Sequence, residues 1–339
     1  MQDPSSPRPS ARTTNADSTR DAVRSGTERQ GVTHERVTAN DVGQRIDNFL
    51  LSLTHGVPKS HIYRIIRSGE VRVNSGRIKP AYRLKPGDTI RIPPLIQTQT
   101  GTVRVPDTVR TKIEDSILYE DERCLVINKP AGIAVHGGSG LAFGVIDAIR
   151  QMRDGALPHA DLAHRIDRGT SGCLLVGKSR VSVAELQDLF RDHRVGKEYL
   201  TLVDGVWPDP RDGDVTRIDK PLERDIESGG ERLVRVSAAG KHAVSEFRIA
   251  RRFAGATLMK VTIETGRTHQ IRVHAASAGF PVVGDTKYGG SDVNQRYRRQ
   301  GLTRLYLHSS SITLLTDPVA RFVAPVGRDW ENDLNRLDA

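Results

Sequence analysis

The string HRIDRGTSG, His164 to Gly172, runs without a spacer into the apolar segment CLLVG. A short continuous apolar run of this kind reads as a buried strand, so the polar string must be a loop at that strand's entrance. It sets Asp167 among two cations (Arg165 and Arg168), a hydroxyl pair (Thr170 and Ser171) and two glycines. Residue types leave two readings open. One is a polar turn ahead of a strand, because turns collect Asp, Gly, Ser and Thr. The other is a reactive carboxylate, which must stay ionised while partly dried and needs Arg or backbone N–H partners to do so.

Later segments supply candidate partners. Ser182 with Glu185 has capping-box spacing for a helix carrying Val183, Leu186 and Phe190. In EYLTLV, period-two alternation puts Tyr199, Thr201 and Val203 on one face and Leu200 and Leu202 on the other; Tyr199 fits core packing as readily as a site. LMKVTIETGRTHQIRVHAASAG predicts a strand from Leu258 to Ile263 and a turn at Thr265 and Gly266. A helix from about His269 to Ala278 follows, capped by Thr268 and ended by Gly279. Arg267 then falls at the mouth between strand and helix, where it can pair bidentately with a carboxylate or serve as a surface helix-terminus Arg. His269 and His274 lie about 140° apart around a helix, so they do not converge on a metal ion. With His164 they read as structural, and no metal is expected. Ile117 to His136 reads as strand, charged turn and second strand ending at Lys129 and Pro130. Gly137 to Gly140, GGSG, is either a phosphate cradle or an ordinary turn, and no Walker lysine follows it.

Charge separates a second region. The formal net charge is +10, and between Val57 and Leu95 nine Lys or Arg face two acids, Glu70 and Asp88. Seven of the ten excess charges thus sit in a ninth of the chain, as a phosphate-binding module requires; a small basic dimerisation module is the alternative. Ile46, Phe49, Leu50 and Leu53 mark a first helix. Ile62, Ile65 and Ile66 mark a second, capped by Ser60 and ended by Gly69. Val71 and Val73, a turn at Asn74 to Gly76, and the strand TIRIP predict a hairpin and a further strand. Residues 1–36 are polar with six Arg against five acids and are expected to be a disordered tail. Residues 37–95 form the basic domain, 96–112 a polar linker and 113–330 the large domain. Cys124 and Cys173 sit in apolar strands and read as buried thiols, not a disulfide. No run approaches the roughly 20 apolar residues of a membrane span. A cytoplasmic protein without membrane contact is expected.

Four ordered segments carry a family resemblance. HRIDRGTSG resembles the HRLD-x-x-TSG signature of the RluA-type pseudouridine synthases, and KEYLTLVDG, Lys197 to Gly205, is similar to their second motif. Glu264 to Gly289 resembles the third motif almost residue for residue, and Ile117 to His136 the opening segment. RIDNFL and KPGDTIRIP, flanking the two helices and hairpin, resemble an S-four-type RNA-binding domain. Gly169 stands where the family usually has Asp, and Ile166 where it has Leu.

The resemblance implies an α+β protein: a small RNA-binding domain, and a larger one on a mixed, mostly antiparallel sheet flanked by helices. It implies isomerisation of uridine to pseudouridine in RNA without a cofactor, by a protein expected to act as a monomer. Asp167 would be the nucleophile, Tyr199 a stacking or proton-moving residue, and Arg267 the counter-ion of Asp167. Arg165 would fill the stack vacated by the flipped base, with Arg168 and Ile271 also on the RNA. Lys59, Arg64, Arg67, Arg72, Arg77 and Lys79 would hold phosphates. VHGGSGLAFGVID and SGGERLVRVSAAGK resemble the group C enzymes, which implies large-subunit (23S) ribosomal RNA as substrate. Transfer RNA, a non-catalytic ribosome-assembly factor and a nucleoside-cleaving glycosidase are the competing readings.

Overall fold

A computed structural model describes residues 28–29, 31–38, 41–54, 57–97, 104–138, 141–209, 215–226 and 232–337. The chain divides into two units, Met1–Thr102 and Val103–Ala339. In the first, β1 (Thr33–Arg36), α1 (Ile46–Leu53), α2 (Lys59–Ser68), β2 (Arg72–Val73), β3 (Gly76–Arg77) and β4 (Thr89–Ile92) follow one another. The strands pair antiparallel in the order β1-β4-β2-β3. Ile46, Phe49 and Leu50 of α1 and Ile62, Ile65 and Ile66 of α2 close over Val71, Val73, Ile90 and Ile92. That leaves the cations of α2 and the hairpin outside: Lys59, Arg64, Arg67, Arg72, Arg77 and Lys79 are all exposed. The helices are clamped by buried Asp47, which accepts from Arg45 at 2.7 Å and from the Tyr63 hydroxyl at 2.7 Å.

Helix ends follow backbone geometry more than residue preference. Gly69 ends α2 in the left-handed region at φ 77°, as a C-terminal glycine should. The helix starts earlier than Ser60, however, with Pro58 as N-cap. Thr33–Arg36 is not part of a tail, because it pairs with Thr89–Ile92; residues 1–27 lie outside the described residues.

The second unit contains α3 (Asp107–Glu114), β5 (Ile117–Glu120), β6 (Cys124–Lys129), α4 (Val145–Gln151), β7 (Ser171–Gly177), α5 (Arg180–Arg191), β8 (Val195–Asp204) and β9 (Thr216–Asp219). After these come β10 (Leu222–Ile226), β11 (Arg232–Val236), β12 (Val244–Arg252), β13 (Ala256–Ile263), α6 (Gln270–Ser277), α7 (Ser291–Arg299), β14 (Leu307–Leu314), β15 (Ala320–Val323) and α8 (Arg328–Asn335). The main sheet runs β9-β12-β13-β8-β14-β7-β6-β5, with β10 and β11 forming a separate hairpin. Along that path only β7 and β14 are parallel.

β7 is buried along its whole length, which explains its continuous apolar run. Leu174 and Val176 pack with α4, whereas Cys173 and Leu175 pack with Leu186 of α5. Both cysteines are free thiols that burial pushes up, Cys124 to about 12 and Cys173 to about 11. At the start of β7, Gly172 has φ 105°, and a Cβ there would lie 2.2 Å from the Ser309 carbonyl oxygen. No side chain fits where the parallel strands approach.

Three further expectations need correction. The 96–112 segment is not wholly a linker: Val105 is buried, and α3 seats Ile113 in the core, with Val109 between them at four-residue spacing. A boundary at 330 would cut α8, whose Trp330 and Leu334 are buried. α5 is capped by Ser179, with Ser182 at N3: Ser179 Oγ accepts from Ser182 N at 3.2 Å and Ser182 Oγ accepts from Ser179 N at 3.0 Å. Glu185 instead pairs with Arg123. Among the described residues no helix is long and apolar enough to cross a membrane.

His164 precedes the Asp167 loop and accepts from Leu175 N–H at 3.0 Å through Nε2. Burial pushes it down to about 3, so it remains neutral. The unfolded chain takes up that proton near pH 6.5 and the folded chain does not, so this contribution to stability falls as pH drops from 6.5 toward 3. Urea unfolding at pH 7 and pH 5 should show His164→Gln losing less stability on acidification than the wild type.

Candidate active site

Asp167 stands in the loop before β7. Tyr199 lies on β8, which is separated from β7 by β14, and the turn after β13 carries the chain into α6. Arg165, Asp167, Thr170, Tyr199, Arg267, His269, Ile271 and Leu307 line one narrow cleft of about 70 Å³. Its exposed cations are Arg165 and Arg267. Thr170 Oγ1 is buried without a hydrogen-bond partner among the described residues. Arg168 lies elsewhere, its Nε donating to the Gly132 carbonyl at 2.9 Å.

The counter-ion of Asp167 is Arg272, not Arg267. Arg272 Nη1 donates to Asp167 Oδ2 at 3.1 Å, while its Nε and Nη2 hold Asp285 at 2.7 and 2.8 Å. Arg267 Nε donates to the His242 carbonyl at 2.9 Å. The reason lies in α6, which is buried from Gln270 to Ala275, so an arginine inside it is drawn toward buried acids. Burial opposes the Arg272 charge, but Asp285 and Asp167 together outweigh it and hold the guanidinium above its ordinary value. Burial likewise pushes Asp285 up, and the hydrogen bonds and charge of Arg272, together with the N–H groups of Lys287 and Tyr288, more than reverse this.

α6 also begins differently from expectation. Its N-cap is His269, left-handed at φ 55° with no side-chain cap. Thr268 does not cap it but accepts from Arg224 at 2.6 Å; Gln270 Oε1 takes the Arg267 N–H at 3.0 Å. The His269 ring is fixed by Tyr288. The Tyr288 hydroxyl oxygen accepts from Val234 N–H at 3.0 Å and lies 2.7 Å from His269 Nδ1. Its own proton therefore goes to Nδ1, which leaves the proton of neutral His269 on Nε2. Nε2 is 3.9 Å from Asp167 Oδ2. Burial lowers the His269 pKa, consistent with that neutral form. His274 is held similarly, by Ser245 Oγ at 2.9 Å and the Lys220 carbonyl at 3.0 Å.

Two further residues shape the loop. Lys129 is fully buried and donates to the carbonyls of Pro130, Ile133 and Arg168 at 2.9, 2.8 and 3.2 Å. Burial pushes it down to about 7, yet three carbonyl acceptors together require the three N–H groups of an ammonium. At Gly169 a Cβ would sit 3.1 Å from Leu305 Cδ2; Leu305 occupies the space a side chain would need. The GGSG segment does not offer its first two N–H groups to a phosphate. Gly137 N–H donates to Asp147 at 3.3 Å and Gly138 N–H to the Leu141 carbonyl at 2.9 Å, and residues 139–140 lie outside the described residues.

Burial pushes the Tyr199 hydroxyl above its ordinary value, so at neutral pH it is an O–H donor and a ring wall, not a base. Sequence reasoning missed Arg272, Asp285, His269 and Tyr288 as a set. The available signal was the second Arg of GRTHQIR with the Asp and Tyr of GDTKYG downstream.

Residues 123–277 match the family model for RNA pseudouridylate synthase, and residues 44–90 match that for the S4 domain. The chain is 48% identical over 279 residues to ribosomal large subunit pseudouridine synthase C of Yersinia pestis, covering 81% of this chain and 85% of that protein. It is 44% identical over 318 residues to the protein of the same name from Escherichia coli K12, covering 92% and 98%. In fold it is similar to human RNA pseudouridylate synthase domain containing 4, with TM-score 0.56 and 24% identity, over 68% of this chain and 95% of that one.

Arg272→Lys keeps the charge but cannot hold two carboxylates in a planar fork, and should lower kcat by about 100-fold or more. Arg267→Ala should leave kcat within about threefold and act on KM, as removal of an interaction made equally in the ground and transition states does. Single-turnover kinetics separates the two. Tyr288→Phe withdraws the proton from His269 Nδ1 and so raises the histidine pKa. The added charge beside Asp167 should then shift the acid limb of kcat to higher pH than in the wild type.

Proposed function

The chain belongs to the RNA pseudouridylate synthases, and from that premise we propose that it isomerises uridine to pseudouridine in large-subunit ribosomal RNA, with Asp167 as the reacting group. The observation that carries this reading is the Asp167–Arg272 pair in a cleft walled by Tyr199, Ile271 and Leu307. In the overall reaction the N1–C1′ bond breaks, the C5–C1′ bond forms, the C5 proton leaves and N1 gains one. Nothing is oxidised, and no co-reactant is needed.

Oδ2 of Asp167 is bonded to Arg272 and faced by His269, while Oδ1 has no protein hydrogen bond among the described residues. Oδ1 is then the oxygen that meets the uridine. Charge that develops beside it is met by donors already in place, which costs no reorganisation during the reaction. Tyr199 and Ile271 offer ring and aliphatic surface to the base. With the phenol protonated and His269 carrying its proton on Nε2, Asp167 is also the base in the cleft able to take the C5 proton. Arg165, exposed at the cleft, is suited to fill the stack a flipped uridine leaves; flipping costs a few kcal/mol, least in loops.

The exposed cations Lys59, Arg64, Arg67, Arg72, Arg77 and Lys79 support phosphate binding by the first unit. A glycosidase would need a second carboxylate for water, and the nearby Asp285 is sealed by Arg272 and by the N–H groups of Lys287 and Tyr288.

Large-subunit rRNA made without modification, incubated with the protein and mapped for pseudouridine, tests the reading. Wild type should convert discrete uridines, and Asp167→Asn should fail while binding RNA with unchanged affinity. Conversion no greater than that control would favour a non-catalytic assembly factor. Free uracil as the product would favour the glycosidase, and conversion of tRNA alone would move the target.

A further inference from the structure

A second groove adjoins the catalytic cleft and shares Gly266 and Arg267 with it. It has a volume of about 460 Å³, and Leu222 and Val234 of the β10–β11 hairpin contribute its apolar surface. Its charged lining is Arg224, Lys241, Arg267 and a single acid, Glu223. Glu223 lies 3.7 Å from Arg235. Among the described residues none of the three cations pairs with a carboxylate. Two are nevertheless anchored: Arg224 Nη2 on Thr268 Oγ1, and Arg267 Nε on the His242 carbonyl. Each guanidinium keeps further N–H groups for a ligand.

We propose that this groove is a subsite for the phosphodiester flanking the target uridine. The proposal rests on Asp167 converting uridine to pseudouridine. A uridine cannot enter the Asp167 cleft without bringing its two flanking phosphates to the rim. The groove at the rim offers cations without an aromatic stacking surface, which suits a phosphate and not a second base. It is also framed with the reacting group. The Val234 N–H on its wall donates to Tyr288, and Tyr288 fixes the His269 that faces Asp167. A phosphate held here is thereby held at a set distance from Asp167, so binding energy far from the reacting bond orients the sugar.

The test uses full-length Asp167→Asn protein, which leaves RNA unconverted, and an rRNA fragment containing one uridine that the wild type converts. A neutral methylphosphonate replaces the linkage on either side of that uridine. At one of the two positions it should weaken binding to Asp167→Asn about tenfold. In Asp167→Asn carrying Arg224→Ala and Lys241→Ala, the same replacement should cost less than about twofold. The double change should also reduce the slope of log K against log salt by about 0.7 for each single-strand phosphate that is no longer neutralised. Lys241→Gln alone, which leaves the Arg224–Thr268 bond intact, should give an intermediate slope and guards against misfolding. An unchanged methylphosphonate penalty in the double variant would overturn the subsite while leaving the activity standing. Absence of conversion by wild type would overturn the reading and the subsite with it.

Discussion

Arg272 is the residue on which the site depends. One guanidinium, buried in a short helix, pairs with Asp285 inside the protein and with Asp167 at the cleft. A buried charge is tolerated only when it is paired and hydrogen-bonded, so neither acid can be considered alone. Asp285 fixes the plane of the guanidinium and the guanidinium fixes Oδ2. Among the described residues, what remains free is Oδ1 of Asp167, held open to the cleft in a set direction. Tyr288 extends that order outward to the hairpin, its N–H on Asp285 and its hydroxyl accepting from Val234, so Asp167 and the rim of the cleft belong to one hydrogen-bonded frame.

Much of this is legible in the residues. HRIDRGTSG announces a loop at the entrance of a buried strand, and the strand is buried throughout. Periodicity places the first unit's isoleucines and their outward cations. The sequence points to Arg267 in place of Arg272 for a physical reason: at the mouth of a helix an arginine can reach a carboxylate, whereas one inside the helix is expected to face solvent. α6 has no solvent face over Gln270 to Ala275, and helical periodicity says nothing about a helix enclosed on all sides. Capping fails similarly. His269 enters α6 through a left-handed backbone that residue preferences disfavour, and Ser179 outcompetes Ser182 because a reciprocal Ser–Ser pair can stand in for Ser with Glu.

The two units handle charge in opposite ways. In the first, cations stay on the surface, where each contributes little alone and gains force by number. In the second, the decisive charges are enclosed and few: Arg272 between two acids, and Lys129 among three carbonyls behind the loop. Surface cations serve attraction and tolerate exchange. Enclosed ones set geometry, so their replacement is felt in the position of neighbouring atoms more than in net charge.

The close approach of Gly172 to Ser309 links parts of the chain that are far apart in synthesis. Ser171 pairs with His308, 137 residues later, in the one parallel pairing along the main sheet. The strand that closes against the Asp167 loop therefore emerges from the ribosome long after Asp167 itself, and loop closure over such a distance comes late in folding. A nascent chain displays the basic first unit early but holds no assembled cleft. The capacity to grip RNA thus precedes the capacity to alter it, and a chain that stops short of β14 would bind without reacting.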